Sequence, residues 1–478
     1  MSHLRKLGCT LIAVLASGAL AGFSPSAASA SHGQAVYFEA PAELLSPVTR
    51  PKTIATLRKL GVSALRVELY WHSVAPAANS SRRPAFDATD PASYNWGQFD
   101  PLVEEAHRLG WKILLTVTSP VPRWATANPR STSLVYRPNT RQFEEFMTAV
   151  GRHYGSEVSL FSLWNEPNHH EFLQPQFNTN GTPASPRIYR GLFQAGYAGL
   201  RAAGIARPAV LMGETAPEGE SGARAPVRSS AHNVGPLLFL REALCLRSNY
   251  RRAGSCGALP AAGYATHPYP NAAGPLYVPR NPETITISVL SRLTRALDLA
   301  SRAGAVAAHL PVYITEFGIM SKPNRYQGVP AAQQAEYDAI AERLAYQNPR
   351  VASFAQYLLK DDPLSGRAGS GKVGFQTGLQ YFNGSPKPLF ASFPVPLTVT
   401  RRGGAYSLWG FVRPAGAATT LTVEYEPRNS QRFRTLTQVS TNSLGYWTLS
   451  SFVSAAHWRV RWTSPTGAVY LGPSTRAY

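Results

Sequence analysis

The stretch that most constrains this chain is 158–168, Val-Ser-Leu-Phe-Ser-Leu-Trp-Asn-Glu-Pro-Asn. Val158, Leu160, Ser162 and Trp164 alternate with Ser159, Phe161 and Leu163, and both sets are mostly apolar, which is how a strand buried on both faces reads. The run then meets Asn165 and Glu166, and Pro167 stops it, because proline cannot donate to a sheet ladder. A carboxylate is thereby set at the C-terminal end of a buried parallel strand, the end at which parallel α/β folds gather their chemistry. A second stretch answers it: 311–318, Pro-Val-Tyr-Ile-Thr-Glu-Phe-Gly, is another short apolar run ending in a carboxylate, Glu316.

Two glutamates at equivalent ends of two core strands suggest a paired-carboxylate site, in which one group protonates a leaving oxygen and the other attacks an anomeric carbon. Trp-Asn-Glu-Pro-Asn (164–168) and Thr-Glu-Phe-Gly (315–318) resemble the two signature strands of the retaining glycoside hydrolases of clan A, with families 5 and 39 the nearest relatives to suggest. The resemblance implies an α/β fold, a (β/α)8 TIM barrel, with Glu166 as acid/base at the end of strand 4 and Glu316 as nucleophile at the end of strand 7. It implies a carbohydrate substrate and no metal or organic cofactor. It makes Arg66 the strand-2 arginine that supports the nucleophile, and Asn165 the partner of the sugar 2-hydroxyl. In His267-Pro-Tyr269 it makes the tyrosine a hydrogen-bond donor to the nucleophile and sets the histidine near the sugar or the acid/base. The chain departs from the pattern twice. No histidine follows strand 3, which points away from family 5. No tryptophan stands at the end of strand 8, which leaves Phe375, Tyr381 or Trp124 to floor the first sugar subsite.

The residues themselves carry further expectations. In 64–71, Leu65, Val67 and Leu69 share one face, and Arg66, Glu68 and Tyr70 the other. The apolar face should pack on helices and the polar face point into the barrel, with Arg66 pairing Glu68 because unpaired buried charge is costly. Residues 72–97 read as a long polar loop of the kind that serves function. Trp124, in a proline-rich exit from strand 3, reads as a sugar-stacking platform or as core or lid packing. His169 and His170 invite a metal, but lack an HExxH arrangement, so substrate contact or plain solvation is the better reading. Glu214 ends strand 5 and is a third candidate carboxylate; the resemblance to clan A implies a supportive role for it more often than a catalytic one.

The chain has 478 residues, more than one barrel of roughly 250 needs. Beyond 394–396 the pattern changes to short alternating strands punctuated by Gly, Asn, Ser and Pro, which predicts a small all-β sandwich over 395–478 after a barrel over 31–394. Trp458, Val460 and Trp462 alternate with Arg459 and Arg461, so this module reads as docked on the barrel or as carbohydrate-binding.

Residues 1–30 read as a signal peptide: Arg5 and Lys6, an apolar run over 7–22, and a small-x-small site at Ala28-Ser-Ala30. Export is therefore expected, with cleavage near Ala30. No later run is long enough to span a bilayer. Export would leave Cys245 and Cys256, expected as one disulfide, with two free buried thiols as the alternative. The net charge of +20 is mostly arginine spread without long runs, which argues against a nucleic-acid patch. It fits adhesion to an anionic cell wall, or a genome rich in arginine codons. The expectation is a secreted, monomeric glycosidase. A non-catalytic carbohydrate-binding protein and a transglycosylase stand as the alternatives.

Overall fold

The computed structural model describes residues 33–222, 232–364 and 374–478. The predicted signal segment, 1–30, lies outside the described residues.

Eight parallel strands close into a barrel in chain order: β1 (Ala35–Glu39), β2 (Ala64–Tyr70), β3 (Lys112–Thr118), β4 (Leu160–Leu163), β5 (Val210–Thr215), β6 (Gly263–Thr266), β7 (Val312–Ile314) and β8 (Val351–Tyr357). Closure is made by β1 on β8, with Ala35 opposite Ser353 and Glu39 opposite Tyr357. The alternation read in the sequence sets the two faces. Leu65, Val67, Leu69, Ile113, Leu115 and Val117 join the core between strands and helices. Tyr37, Ala64, Leu114, Leu160, Leu211, Ala265 and Ala355 form a separate cluster that fills the floor of the barrel. The interior is therefore apolar at the strand starts and polar at their C-terminal ends, so the chemistry is raised to one face.

The segment after β2 is not a free loop. It holds the short helices Trp71–Val74 and Pro91–Ser93. An aromatic cluster plates it onto the helix Thr140–Tyr154, with Tyr94 5.1 Å from Phe146 and Trp96 stacked 4.7 Å from His153. Arg83 adds an ion pair to Glu145 at 2.7 Å. The helix Leu290–Arg302 follows a 3-10 turn over Ile287–Val289.

Seven further strands follow. β9 (Leu397–Arg402), β10 (Ala405–Phe411) and β13 (Tyr446–Ser451) form one antiparallel sheet, and β11 (Thr420–Glu426), β12 (Arg434–Ser440), β14 (His457–Thr463) and β15 (Val469–Leu471) the other. The two sheets enclose Leu397, Val399, Leu408, Val423, Trp447, Trp458, Val460 and Trp462. The alternating arginines on β14 are not a bare basic face, since Arg459 and Arg461 both close on Glu424 of the neighbouring strand, at 2.5 and 3.0 Å.

These sheets dock under the barrel, beside the strand starts. Trp409, Phe411 and Tyr446 pack on Val36 and Tyr346. Arg413 makes a buried, two-oxygen ion pair with Glu342, and Tyr470 donates to the Lys59 carbonyl. Lys59 and Tyr346 lie just before β2 and β8, and Val36 lies at the start of β1. The docked face is thus the one opposite the glutamate-bearing strand ends. No helix among the described residues is long and apolar enough to cross a membrane.

Candidate active site

The C-terminal ends of the strands converge on one guanidinium. Arg66 donates from Nη1 to Glu39 Oε2 at 2.6 Å and to Glu316 Oε2 at 3.1 Å, and from Nη2 to Glu214 Oε2 at 2.9 Å and to Asn165 Oδ1 at 2.9 Å. Glu68 is a looser neighbour at 3.5 Å. The expected Arg66–Glu68 pair is therefore the weakest of four. Glu68 is held on its other oxygen by the Tyr70 hydroxyl at 2.7 Å. Two of the partners face Arg66 only because the backbone breaks its alternation. Trp164 has φ 75 and Glu166 φ 36, conformations that cost a non-glycine residue about 1–3 kcal/mol. The kink turns Trp164 outward against Phe143 and brings Asn165 inward. Glu214, at φ 46 in a bulge of β5, is turned inward the same way.

Glu166 and Glu316 meet above this hub. Glu166, His267 and Glu316 offer one ligand atom each within 4.8 Å of one another. His267 Nδ1 lies 3.0 Å from Glu166 Oε1 and 3.6 Å from Glu316 Oε2, and its Nε2 lies 3.1 Å from Thr315 Oγ1. Tyr269 donates to Glu316 Oε1 at 2.7 Å. Both histidine and tyrosine come from the end of β6, as their two-residue spacing predicts.

The electrostatics divide the two carboxyls. Burial pushes Glu166 up to about 7, opposed by His169 and Arg66 and assisted by the negative charges of Glu68 and Glu214. Burial raises Glu316 as well, against His267 and Arg66. The geometry distinguishes them: Glu316 receives a guanidinium and a phenol, which stabilise its charged form, whereas among the described residues the side-chain hydrogen bond to Glu166 is that of the His267 imidazole. Burial lowers His267, which favours the neutral ring, and burial followed by the charge of Glu316 raises Tyr269, which keeps its proton for donation. Glu39 is raised well above its ordinary value by burial, and its Oε1 has no partner. The three converging atoms would suit a divalent cation by donor type. The Glu316 oxygen facing His267 is the one held by Arg66, so a cation there would sit against a guanidinium.

Trp124 is not at this site. It is buried beneath the post-β2 segment, edge-on to Trp71 at 5.9 Å and to Phe86 at 5.8 Å, with its Nε1 donating to the Pro76 carbonyl at 3.1 Å. The stacking-platform reading is thereby corrected: the proline-rich loop folds inward because it carries large apolar rings that only a neighbouring loop can cover. Phe375 is a further aromatic beside the site, 6.0 Å from Tyr269 and 5.2 Å from Tyr357. His169 and His170 stack on each other, and His170 bonds Asn233. Cys245 and Cys256 form the disulfide, with Cα atoms 6.1 Å apart. It closes the loop after the helix Pro236–Ala243 and contributes to the scaffold, not to the site. Glu39 is the functional-looking residue that sequence reading missed. Its parity with Tyr37, which points inward, was the available signal.

No protein-family model matches the chain, and no curated protein matches it. Among solved structures, the glucosidase from Croceicoccus marinus is 12% identical, with a TM-score of 0.51 over 93% of this chain and 96% of that one. The β-glycosidase from Thermosphaera aggregans is 15% identical, with a TM-score of 0.47 over 76% of this chain and 95% of that one. Xylanase 10B from Thermotoga maritima is 15% identical, with a TM-score of 0.42 over 75% and 92%. The likeness to the first runs over nearly the whole of both chains and is one of fold.

Proposed function

We propose that the protein is a secreted glycoside hydrolase that cleaves O-glycosidic bonds of a poly- or oligosaccharide with retention, by double displacement. The observation that carries this reading is the approach of Glu166 and Glu316 to within 4.8 Å from the ends of β4 and β7. Retaining enzymes hold their carboxyls about 5–5.5 Å apart, and inverting ones about 6.5–9.5 Å, to admit a water.

In this reading a Glu316 oxygen attacks the anomeric carbon while Glu166 gives its proton to the glycosidic oxygen. The C1–O bond breaks, the leaving group departs with that proton, and a glycosyl ester remains on Glu316. Glu166, now ionised, takes a proton from water as the water oxygen attacks C1. The ester breaks, and both carboxyls return to their starting states. Burial of Glu166 keeps its proton available near neutrality. Arg66 and Tyr269 hold Glu316 ionised and aimed. Arg66 holds Asn165 by its Oδ1, which leaves the amide NH2 to bond the sugar 2-hydroxyl. Export rests on the segment 1–30.

The test is intact-mass spectrometry after incubation with a panel of 2-fluoro aryl glycosides, together with turnover on plant and bacterial cell-wall glycans. The expected result is a stable adduct on the peptide holding Glu316, absent from Glu316→Gln. Glycan binding with neither adduct nor turnover across the panel would replace the hydrolase with a carbohydrate-binding protein.

A further inference from the structure

The sandwich carries a cavity of its own. Where β9, β10 and β14 meet the C-terminal tail, Arg401, Tyr406, Arg428, Trp458, Arg476 and Tyr478 line a space of about 520 Å³, a volume in the range of small-molecule sites. The tail is built into the wall: Ala477 bridges Val399, and Thr475 bridges Trp458. The cavity shares no lining residue with the barrel site.

Its charged side chains are of one sign. Three guanidiniums face it and no aspartate or glutamate does. Guanidinium and indole groups donate and never accept. Among the described residues, no acidic side chain lies within ion-pair distance of Arg401 or Arg428, whereas Arg459 and Arg461 on β14 are both closed on Glu424. Arg476 is partly engaged, donating to His457 Nε2 at 3.2 Å while His457 is paired with Glu426. The Trp458 side chain is buried, and its Nε1 has no hydrogen-bond partner. Arg401 gives one donor to the Gly403 carbonyl at 3.3 Å and lies over the Tyr406 ring at 6.0 Å, and a guanidinium has five donors in all.

We propose that this cavity binds the anionic groups, carboxylate or phosphate, of an acidic glycan. Arg401 and Arg428 supply planar forks that match such groups. The rings of Tyr406, Trp458 and Tyr478 add apolar surface to the same wall, fitting a sugar better than a bare ion. The arginines converge on one cavity instead of lining a track, which distinguishes the site from a nucleic-acid groove. The module would then hold the protein to an acidic polymer, on the side of the barrel away from the carboxyl pair. This site does not depend on the catalytic reading, and its test reads binding alone.

The experiment is affinity electrophoresis of the full chain in gels containing polygalacturonate, poly(glycerol phosphate), neutral dextran or duplex DNA, followed by calorimetry with the retarding polymer. Retardation by either acidic glycan, and not by dextran, is expected, and which of the two retards separates carboxylate from phosphate. Arg401→Gln/Arg428→Gln, at two exposed positions, should weaken binding about tenfold or more with an unchanged melting curve. Arg428→Gln alone should weaken it in part. No retardation by either acidic glycan, equal retardation of wild type and double variant, or equal retardation by DNA would each overturn the proposal.

Discussion

Arg66 and Glu316 are 250 residues apart in sequence and 3.1 Å apart in space, joined Nη1 to Oε2. The same nitrogen also donates to Glu39 at 2.6 Å, so the charge that aims Glu316 is shared within a buried cluster of carboxylates.

Removing that charge should unfold the site. Arg66→Ala strips the guanidinium shared by Glu39, Glu214 and Glu316, and breaking a buried ion pair from one side costs about 3–5 kcal/mol. Arg66→Lys keeps a charge but cannot bridge Glu39, Glu214 and Asn165 at once. Denaturant unfolding should report a large loss for alanine and a smaller one for lysine. Turnover of the lysine variant should fall far more than its stability.

The pH profile should have a basic limb set by Glu166. Its carboxyl is raised to about 7 in the folded protein, first by burial, so the protonated acid is present below that pH and lost tenfold per unit above it. Glu166→Gln should remove this limb and lower hydrolysis of substrates with poor leaving groups by about 10²–10⁴-fold. Aryl glycosides with good leaving groups, which need little protonation, should lose less in their first step. A basic limb that survives in Glu166→Gln assigns the proton elsewhere.

Asp338 gives a stability test away from the site. It is buried in the helix Ala331–Tyr346 and raised to about 8 by burial and by the charge of Glu342, against Arg413, and its Oδ1 has no partner. A carboxyl raised on folding contributes fully below its unfolded value of about 4 and loses that contribution as pH climbs to about 8. Asp338→Asn cannot titrate. The variant should therefore gain on wild type between pH 4 and 8, and hold a constant advantage above. Melting temperatures across that range check the sign; a gain appearing only below pH 4 would refute it.

Trp124 separates packing from binding. Trp124→Ala should cost about 3–5 kcal/mol, because it opens a hole against Trp71 and Phe86, with KM unchanged at temperatures where the variant stays folded. Phe375→Ala, beside Tyr269, should do the reverse, raising KM with little effect on melting.

The carboxyl pair was legible because each glutamate ends an apolar run, and because a barrel with strands in chain order sends all such ends to one face. Arg66, His267 and Tyr269 were legible by two-residue parity. Glu39 shares that parity with Tyr37, but a single acid after a short strand looks like an ordinary strand exit. Glu214 and Asn165 stand at positions that simple alternation points outward, and only the positive φ at Glu214 and Trp164 turns them in. Trp124 shows the converse failure: a proline-rich loop with one large ring reads alike whether the ring meets water or its neighbours.

By itself the sequence determined the barrel strands, their order and the two glutamates that end β4 and β7, since periodicity and chain breaks are local properties of the backbone. Only the tertiary structure decided that Glu39, Arg66, Glu214 and Glu316 share one low-dielectric interior, and which carboxyl receives the guanidinium. Those outcomes depend on barrel closure, on two kinks that override alternation, and on burial, and all three are set by residues far apart in the chain.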